Sequence, residues 1–515
     1  MSWKDELDEL ARRQRLAEAM GGAEKVQRQH DNGKLTVRER IDRLLDPGSF
    51  REAGTAAGAA QYDADGKLIG FRPSNQVVGH GEIDGRPVAI AGDDFTVRGG
   101  ASDARILEKS IYPEKLAHDL SIPLIRLVDG TGGGGSVKDL DKLGYTYVPR
   151  VPGWDTAADN LARVPVVGLA LGPVAGLGAP RVAASHYSLM VRGLSQIFTA
   201  GPPVVAYIGE QVTKEELGGA DIHARNGTVD DEVASEDEAF GRTRRFLSYL
   251  PRNVFELPAR TEPNDDPTRR VEALLDTVPR DTRRVYAMRP VVESVVDSGS
   301  FFEIGKLWGR SVITGLARLH GWPIGVIASD PYHYGGAWTK SSSEKMTRLI
   351  DLAQIFHLPI VHLADVPGFL IGVEAEQAAT IRYGVRAMTA IEQTTVPWCT
   401  IIVRKCFGVA GAANRPHNRL SLRYAWPSGE WGSLPLAGGI EAAYKAEIEA
   451  SPDPVAARAH IEERLKAVTS PIRTAEPFGI EEIIDPRDTR VVLCDFIRLA
   501  ADLRQPGMSH FTVRP

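Results

Sequence analysis

The sequence predicts an α/β protein built from two tandem copies of one unit. Three observations carry that prediction. First, 515 residues exceed what a single hydrophobic core usually organises. Second, the chain repeats itself. Leu44–Gly54 reads like Val295–Gly305, Gly85–Ile90 like Gly321–Val326, and Gly99-Gly100-Ala101 like Gly335-Gly336-Ala337. Ile122–Asp129 reads like Leu358–Asp365, and Arg163–Ala179 like Thr395–Gly411. Five blocks in one order, with small drifts in spacing, are the mark of duplication. Third, each copy alternates short β-branched runs with stretches of helical period, the pattern of a sheet covered on both faces by helices.

The elements follow in chain order. Residues 1–45 are rich in charge at helical spacing and read as a helical surface arm. Residues 1–255 form the first domain. Pro251–Pro290 is rich in Pro, Arg and Asp, which places a linker at 256–290 with one helix-like piece near Arg269–Asp276. Residues 291–515 form the second domain. There Val326–Ser329 reads as a strand and Ser342–Phe356 as an amphipathic helix with Met346, Leu349, Ile350 and Ala353 on one face. Ile360–Asp365 follows as strand, Glu374–Thr394 as one helix and Cys399–Lys405 as strand.

Composition narrows the function. Lys and Arg number 61 against 67 Asp and Glu, a net charge of −6, which supports neither a nucleic-acid nor a polybasic membrane partner. Three cysteines, Cys399, Cys406 and Cys494, make no CxxC and no pairable framework, so the expected setting is a reducing cytoplasm. The N-terminus is charged from Lys4 onward and is not a secretory signal. The longest uncharged stretch, Val164–Pro180, falls short of the ~20 residues a membrane span needs. The twelve histidines are scattered without metal-ligand spacing, so no metal is expected.

Side-chain catalytic motifs fail one by one. Thr131–Ser136 is not followed by Gly-Lys-Ser/Thr, so it is no phosphate loop. Gly176-Leu177-Gly178 lacks the third glycine of a dinucleotide fingerprint, and there is no G-x-S-x-G. What remains is backbone chemistry. Equivalent ends of the two copies run from strand into a Gly-rich turn and a presumed helix start, at Gly172–Ala179 and at Lys405–Gly411. Small residues let a chain approach a ligand and offer its N–H groups, as an oxyanion hole requires. The same glycines also suit plain packing of helix on strand, and the residues alone leave both readings open.

The chain resembles the carboxyltransferase (beta) subunit of biotin-dependent acyl-CoA carboxylases, the propionyl-, methylcrotonyl- and geranyl-CoA carboxylase family. The resemblance rests on Lys34–Phe50, Gly92–Gly100, Ala234–Pro251, Ser329–Thr339, Asp365–Glu376 and Ile484–Leu493, with DVPGF at Asp365–Phe369 among its specific signatures. It implies a tandem duplicated crotonase (ClpP-like) fold, with acyl-CoA bound by the first repeat and carboxybiotin by the second, and an active site formed between the first domain of one subunit and the second of another. It further implies that Gly176, Leu177 and Gly178 offer N–H groups to the thioester oxygen, and that Gly408, Val409, Ala410 and Gly411 hold the biotin ureido oxygen. Gly99, Gly100, Ala101 and Gly132, Gly133 and Gly134 would line the CoA side. No side-chain base is needed on this scheme, and Gly172–Ser188 contains no Asp or Glu.

The departures are specific. Relatives usually read Gly-Gly-Ala-Tyr-Asp in the second hole, where this chain has Gly408 followed by Val409-Ala410-Gly411-Ala412-Ala413. Ala412 therefore becomes the candidate for acyl specificity. Asn414-Arg415-Pro416 is also unusual. The chain carries no Met-Lys-Met biotin acceptor and no ATP-binding domain, so the resemblance implies biotin on a separate carrier, a biotin carboxylase partner, and a dimer-built homo-hexamer. The alternatives are the carboxyltransferase subunit of a biotin-dependent acyl-CoA decarboxylase, and a non-catalytic scaffold subunit.

Overall fold

The computed structural model describes residues 2–101, 104–130, 140–141, 143–419 and 421–510. Its chain divides into two units, Met1–Glu256 and Leu257–Pro515. The first holds an eight-stranded sheet ordered Arg51–Ala53, Gln76–Ile83, Arg86–Asp93, Leu124–Gly130, Val166–Val174, Tyr187–Val191 and Asp231–Val233, with Gln196–Ile197 also on Val166–Val174. The second sheet repeats that order with Phe302–Ile304, Val312–Leu319, Trp322–Ser329, Ile360–Val366, Trp398–Phe407, Leu422–Ala425 and Glu482–Ile483, and Glu430–Gly432 on Trp398–Phe407. In both, the leading strands pair antiparallel and the rest parallel. Leu124–Gly130 and Ile360–Val366 are buried at every position, so the polar residues set among their apolar ones, Arg126 and Asp129 in the first and His362 and Asp365 in the second, are buried too.

The duplication is also written in backbone torsions. Left-handed φ occurs at Asp84 (51°), Arg98 (57°) and Ser121 (50°), and 236 positions later at His320 (48°), Tyr334 (52°) and His357 (59°). Each costs a non-glycine residue about 1–2 kcal/mol, so these turns are held by the fold around them. A buried lysine recurs at the same offset. Lys109 Nζ donates to Gly54 O (2.9 Å), and Lys345 Nζ donates to Trp308 O (2.9 Å) and Val312 O (2.7 Å).

Most sequence expectations for the second unit hold at the level of elements. Helix Lys340–Ile355 begins under a Thr339 cap that accepts from Ser342 N, and buries Met346, Leu349, Ile350 and Ala353. The single helix expected over Glu374–Thr394 is instead two, Val373–Gln377 and Thr380–Gln393. Ala379 sits between them at φ 58°, and an alanine gives no sequence signal for such a break.

The arm also needs correction. Lys4–Glu18 and Ala23–Asp31 are largely exposed, whereas Val37–Leu44 is core. Thr36 and Glu39 close a capping box at its start, and Val37, Ile41 and Leu44 are each at most 1% exposed. The segment expected as a linker contributes to packing too. Leu274, Tyr286 and Met288 join the core of the second unit, and Glu272–Leu275 forms a single 3₁₀ turn.

Candidate active site

Each unit ends its central parallel strand in the same way. In the first, Val166–Val174 continues to Ala175, whose N–H donates to Gly130 O at the end of the neighbouring strand (3.1 Å). Gly176 then turns the chain at φ 61°, and helix Gly178–Ala183 begins. The N–H groups of Gly176, Leu177 and Gly178 donate to no acceptor among the described residues, while the carbonyls of Gly176 and Leu177 are taken by Ala179 N (3.2 Å) and Arg181 N (3.3 Å). A Cβ at Gly178 would lie 3.0 Å from Val174 Cγ1 and 3.2 Å from Val128 Cγ1.

In the second unit, Trp398–Phe407 runs into Gly408 at φ 63°, and helix Gly408–Ala412 follows. The N–H groups of Gly408, Val409 and Ala410 likewise have no acceptor among the described residues. Gly176 and Gly408 thus occupy one torsional position in two copies. Val409 is 56% exposed, so its side chain does not enter the packing behind the turn. Gly411 has a packing reason of its own, since a Cβ there would stand 2.5 Å from the Cys406 carbonyl carbon. Ala412 is exposed.

The loop at Gly99-Gly100-Ala101 is brought to the first turn. Gly99 (φ 62°) and Gly100 (φ 66°) bend it, and a Cβ at Gly100 would be 2.5 Å from Asp129 O and 2.6 Å from Gly130 Cα. Only glycine lets the loop lie against that strand end. Gly132, Gly133 and Gly134 lie outside the described residues.

A cavity of about 500 Å³ adjoins the first turn, with Ala175, Gly176 and Leu177 on one wall and Leu107, Ile111 and Trp154 on another. Arg105 and Arg150 add positive charge. These residues were not singled out from sequence, because the cavity arises where helix Leu107–Leu120 meets the loop before helix Trp154–Asn160. Glu114 is the one carboxylate among the described lining residues. Burial opposes its ionisation, but Arg126 (2.9 and 3.0 Å) and Arg181 (3.2 Å) hold its pKa below the usual range. Asn160 binds it as well (3.2 Å), so Glu114 is a saturated structural carboxylate rather than a free base.

All three cysteines are buried and free, and burial pushes the thiols of Cys406 and Cys494 up to about 11. They are protonated at neutral pH and poor nucleophiles. His362 lies beneath the second turn, where burial lowers its pKa to about 4. An unfolded histidine titrates near 6.5, so between these values the unfolded chain binds the extra proton and stability falls as pH drops. Urea unfolding of wild type and His362→Phe at several pH values is expected to show a difference that changes by about 3 kcal/mol across that window. A difference independent of pH would contradict this assignment.

Two copies of one open sheet, each with its central parallel strand ending in a glycine-turned cluster of N–H groups, define a fold of the duplicated crotonase class. Residues 28–509 match the carboxyl transferase domain family, and the chain belongs to that family. It is 34% identical to the propionyl-CoA carboxylase carboxyltransferase subunit of Haloferax mediterranei, over 99% of both chains. It is 33% identical to the methylmalonyl-CoA carboxyltransferase 12S subunit of Propionibacterium freudenreichii subsp. shermanii, over 98% of this chain and 96% of that one. Among solved structures, the transcarboxylase 12S hexamer with methylmalonyl-coenzyme A and methylmalonic acid bound superposes with a TM-score of 0.88 at 30% identity, covering 100% of this chain and 99% of that one. The chain is a carboxyltransferase of the acyl-CoA carboxylase type, as the sequence resemblance implied. No helix among the described residues is long and apolar enough to cross a membrane.

Proposed function

We propose that this protein transfers a carboxyl group from carboxybiotin, borne on a separate carrier subunit, to the α-carbon of a short acyl-CoA. The observation that carries the reading is the pair of strand-end turns at Gly176 and Gly408, each with unbonded N–H groups behind a left-handed glycine. Gly176, Leu177 and Gly178 donate to the thioester oxygen and hold the charge of the enolate that forms when the α-proton leaves. Removing one such donor typically costs about 3–4 kcal/mol in the barrier. The donor set at Gly408, Val409 and Ala410, with Gly411 behind it, fits a ureido oxygen, being neutral, backbone-only and open. Carboxybiotin supplies the transferable carboxyl and, once that is lost, a nitrogen basic enough to take the α-proton. The saturation of Glu114 agrees with a site that brings no carboxylate base of its own.

Met1–Glu256 is then the acyl-CoA half and Leu257–Pro515 the biotin half. Gly99, Gly100, Ala101 and Gly132–Gly134 flank the CoA side, and Ala412 sets acyl size. The partner is a biotin carboxylase with a biotin carrier, the assembly a dimer-built homo-hexamer, and the compartment the cytoplasm. The test mixes the purified chain with a cognate biotinylated subunit, ATP, bicarbonate and a panel of acyl-CoA esters. Carboxylation of at least one ester is expected, and failure with every ester rejects the reading. Ala412→Asp is expected to change the ratio of kcat/KM for propionyl- over acetyl-CoA by about 10-fold. An unchanged ratio removes Ala412 from the acyl site.

A further inference from the structure

We infer that Asn414 is a positioning residue for the N–H groups of Gly408–Ala410, with His362 as its anchor in the sheet. The inference rests on the carboxyltransferase reading of the second turn. Helix Gly408–Ala412 is five residues long, barely one turn, and a helix that short does not hold its own place. Its position must come from what ties it to the sheet. Asn414, two residues beyond it and only 4% exposed, makes that tie in both directions. Its main-chain carbonyl accepts from His362 Nδ1 (3.0 Å), Trp398 Nε1 (3.0 Å) and Thr400 Oγ1 (2.8 Å). These donors stand on the two central strands, Ile360–Val366 and Trp398–Phe407. A carbonyl has two lone pairs, so three donors leave it saturated.

Its side chain reaches the other way. Asn414 Nδ2 donates to Gly411 O (2.7 Å) and to Cys406 Sγ (3.3 Å), and the Cys406 thiol in turn donates to Gly411 O (3.1 Å). The Gly411 carbonyl of the short helix is thereby fixed to a residue that is itself fixed to the sheet. Because a carbonyl only accepts, His362 must carry its proton on Nδ1, and its lowered pKa keeps the ring neutral in that form.

The first unit builds the same tie from other atoms. Arg126 occupies the strand position 236 residues before His362, and its Nη1 donates to Arg181 O (2.9 Å) and Ala184 O (2.7 Å) at the end of helix Gly178–Ala183. The residue type has changed between copies, and the carbonyls held have shifted with it: Arg181 and Ala184 flank Val182, which stands where Asn414 does relative to the glycine turn. Conservation of a job across such different side chains argues that holding this turn matters in both units. A donor cluster displaced by about 1 Å loses on the order of 100-fold in rate.

The test uses the full-length protein, free biotin and propionyl-CoA. Binding of each is followed by titration without turnover, and carboxyl transfer from methylmalonyl-CoA to free biotin is measured separately. Asn414→Leu and His362→Phe are expected to weaken biotin binding and lower transfer by about 10- to 100-fold, with propionyl-CoA affinity within about twofold of wild type. His362→Asn, which keeps an N–H near the Nδ1 position, is expected to recover most of the loss. If Asn414→Leu does not fold, Thr400→Val removes one donor to the same carbonyl at nearly constant shape and is expected to show several-fold weaker biotin binding. Unchanged biotin binding and transfer in these variants, or an equal loss of propionyl-CoA affinity, overturns the inference. Should Gly408→Val retain full transfer as well, the reading of the turn itself fails, and not the tie alone.

Discussion

Gly178→Val is expected to lower kcat by about two to three orders of magnitude while the protein still assembles. The new Cβ would stand 3.0 Å from Val174 Cγ1 and 3.2 Å from Val128 Cγ1, and the two added methyls would close further on both. Val174 and Val128 are core residues at 0% and 3% exposure, so they have little room to yield. The part that moves is the turn, with the N–H groups of Gly176, Leu177 and Gly178. Overpacking of this kind costs about 1–3 kcal/mol of stability, which a unit of this size tolerates. The measurements are kcat, KM for acyl-CoA, thermal unfolding and size by light scattering. Gly241→Ala, at a helical glycine with nothing within 4 Å of its Cβ, serves as the control and is expected to leave turnover unchanged. Full activity in Gly178→Val would remove Gly178 from the site.

Arg40→Met is expected to be the most damaging single change to stability outside the glycines. Arg40 is fully buried and bonds Asp129 Oδ2 (2.9 Å), Glu236 Oε2 (2.6 Å) and Leu171 O (2.7 Å). Burial disfavours its charge, yet Asp129 and Glu236 more than compensate and raise its pKa. Methionine fills much of the volume but leaves two carboxylates underground, with Lys34 the one remaining cation on Asp129 among the described residues. Breaking a buried pair costs about 3–5 kcal/mol. For a unit of this size each kcal/mol lowers Tm by about 2–4 °C, so a drop on the order of 10 °C is expected by calorimetry. Arg43→Met, whose pair with Asp237 is exposed, should shift Tm little. Equal effects from the two would refute the assignment of Arg40 to the core.

Much of this architecture is legible in the chain, and the reason is repetition. Strands such as Trp322–Ser329 declare themselves by short runs of apolar and β-branched residues, and the two glycine turns declare themselves by matching. What stayed hidden depends on distance. Arg40 reads as one more charge in an acidic and basic prefix until the fold brings Glu236 to it, 196 residues away. Asn414 reads as an oddity until His362, 52 residues earlier, meets its carbonyl. Ala379 is a good helix former that interrupts a helix, and no local preference announces it. Leu177 and Val409 break the glycine pattern, yet both turns keep their unbonded N–H groups, because the chemistry asked of them belongs to the backbone.

The exchange of Arg126 for His362 has a consequence during folding. Tandem copies of one sheet invite strand exchange, in which a strand of one copy completes the sheet of the other. Arg126 is compensated by Glu114, but 236 positions further on the corresponding residue is Ile350, an apolar core residue. Strand Leu124–Gly130 placed in the wrong sheet would bury a guanidinium with Ile350 where its carboxylate partner should be, and Ile360–Val366 in its place would strand Glu114 without its main cation. Each error costs several kcal/mol. The two halves are alike enough to share a backbone and unlike enough, at one buried pair of positions, to reject each other's strands.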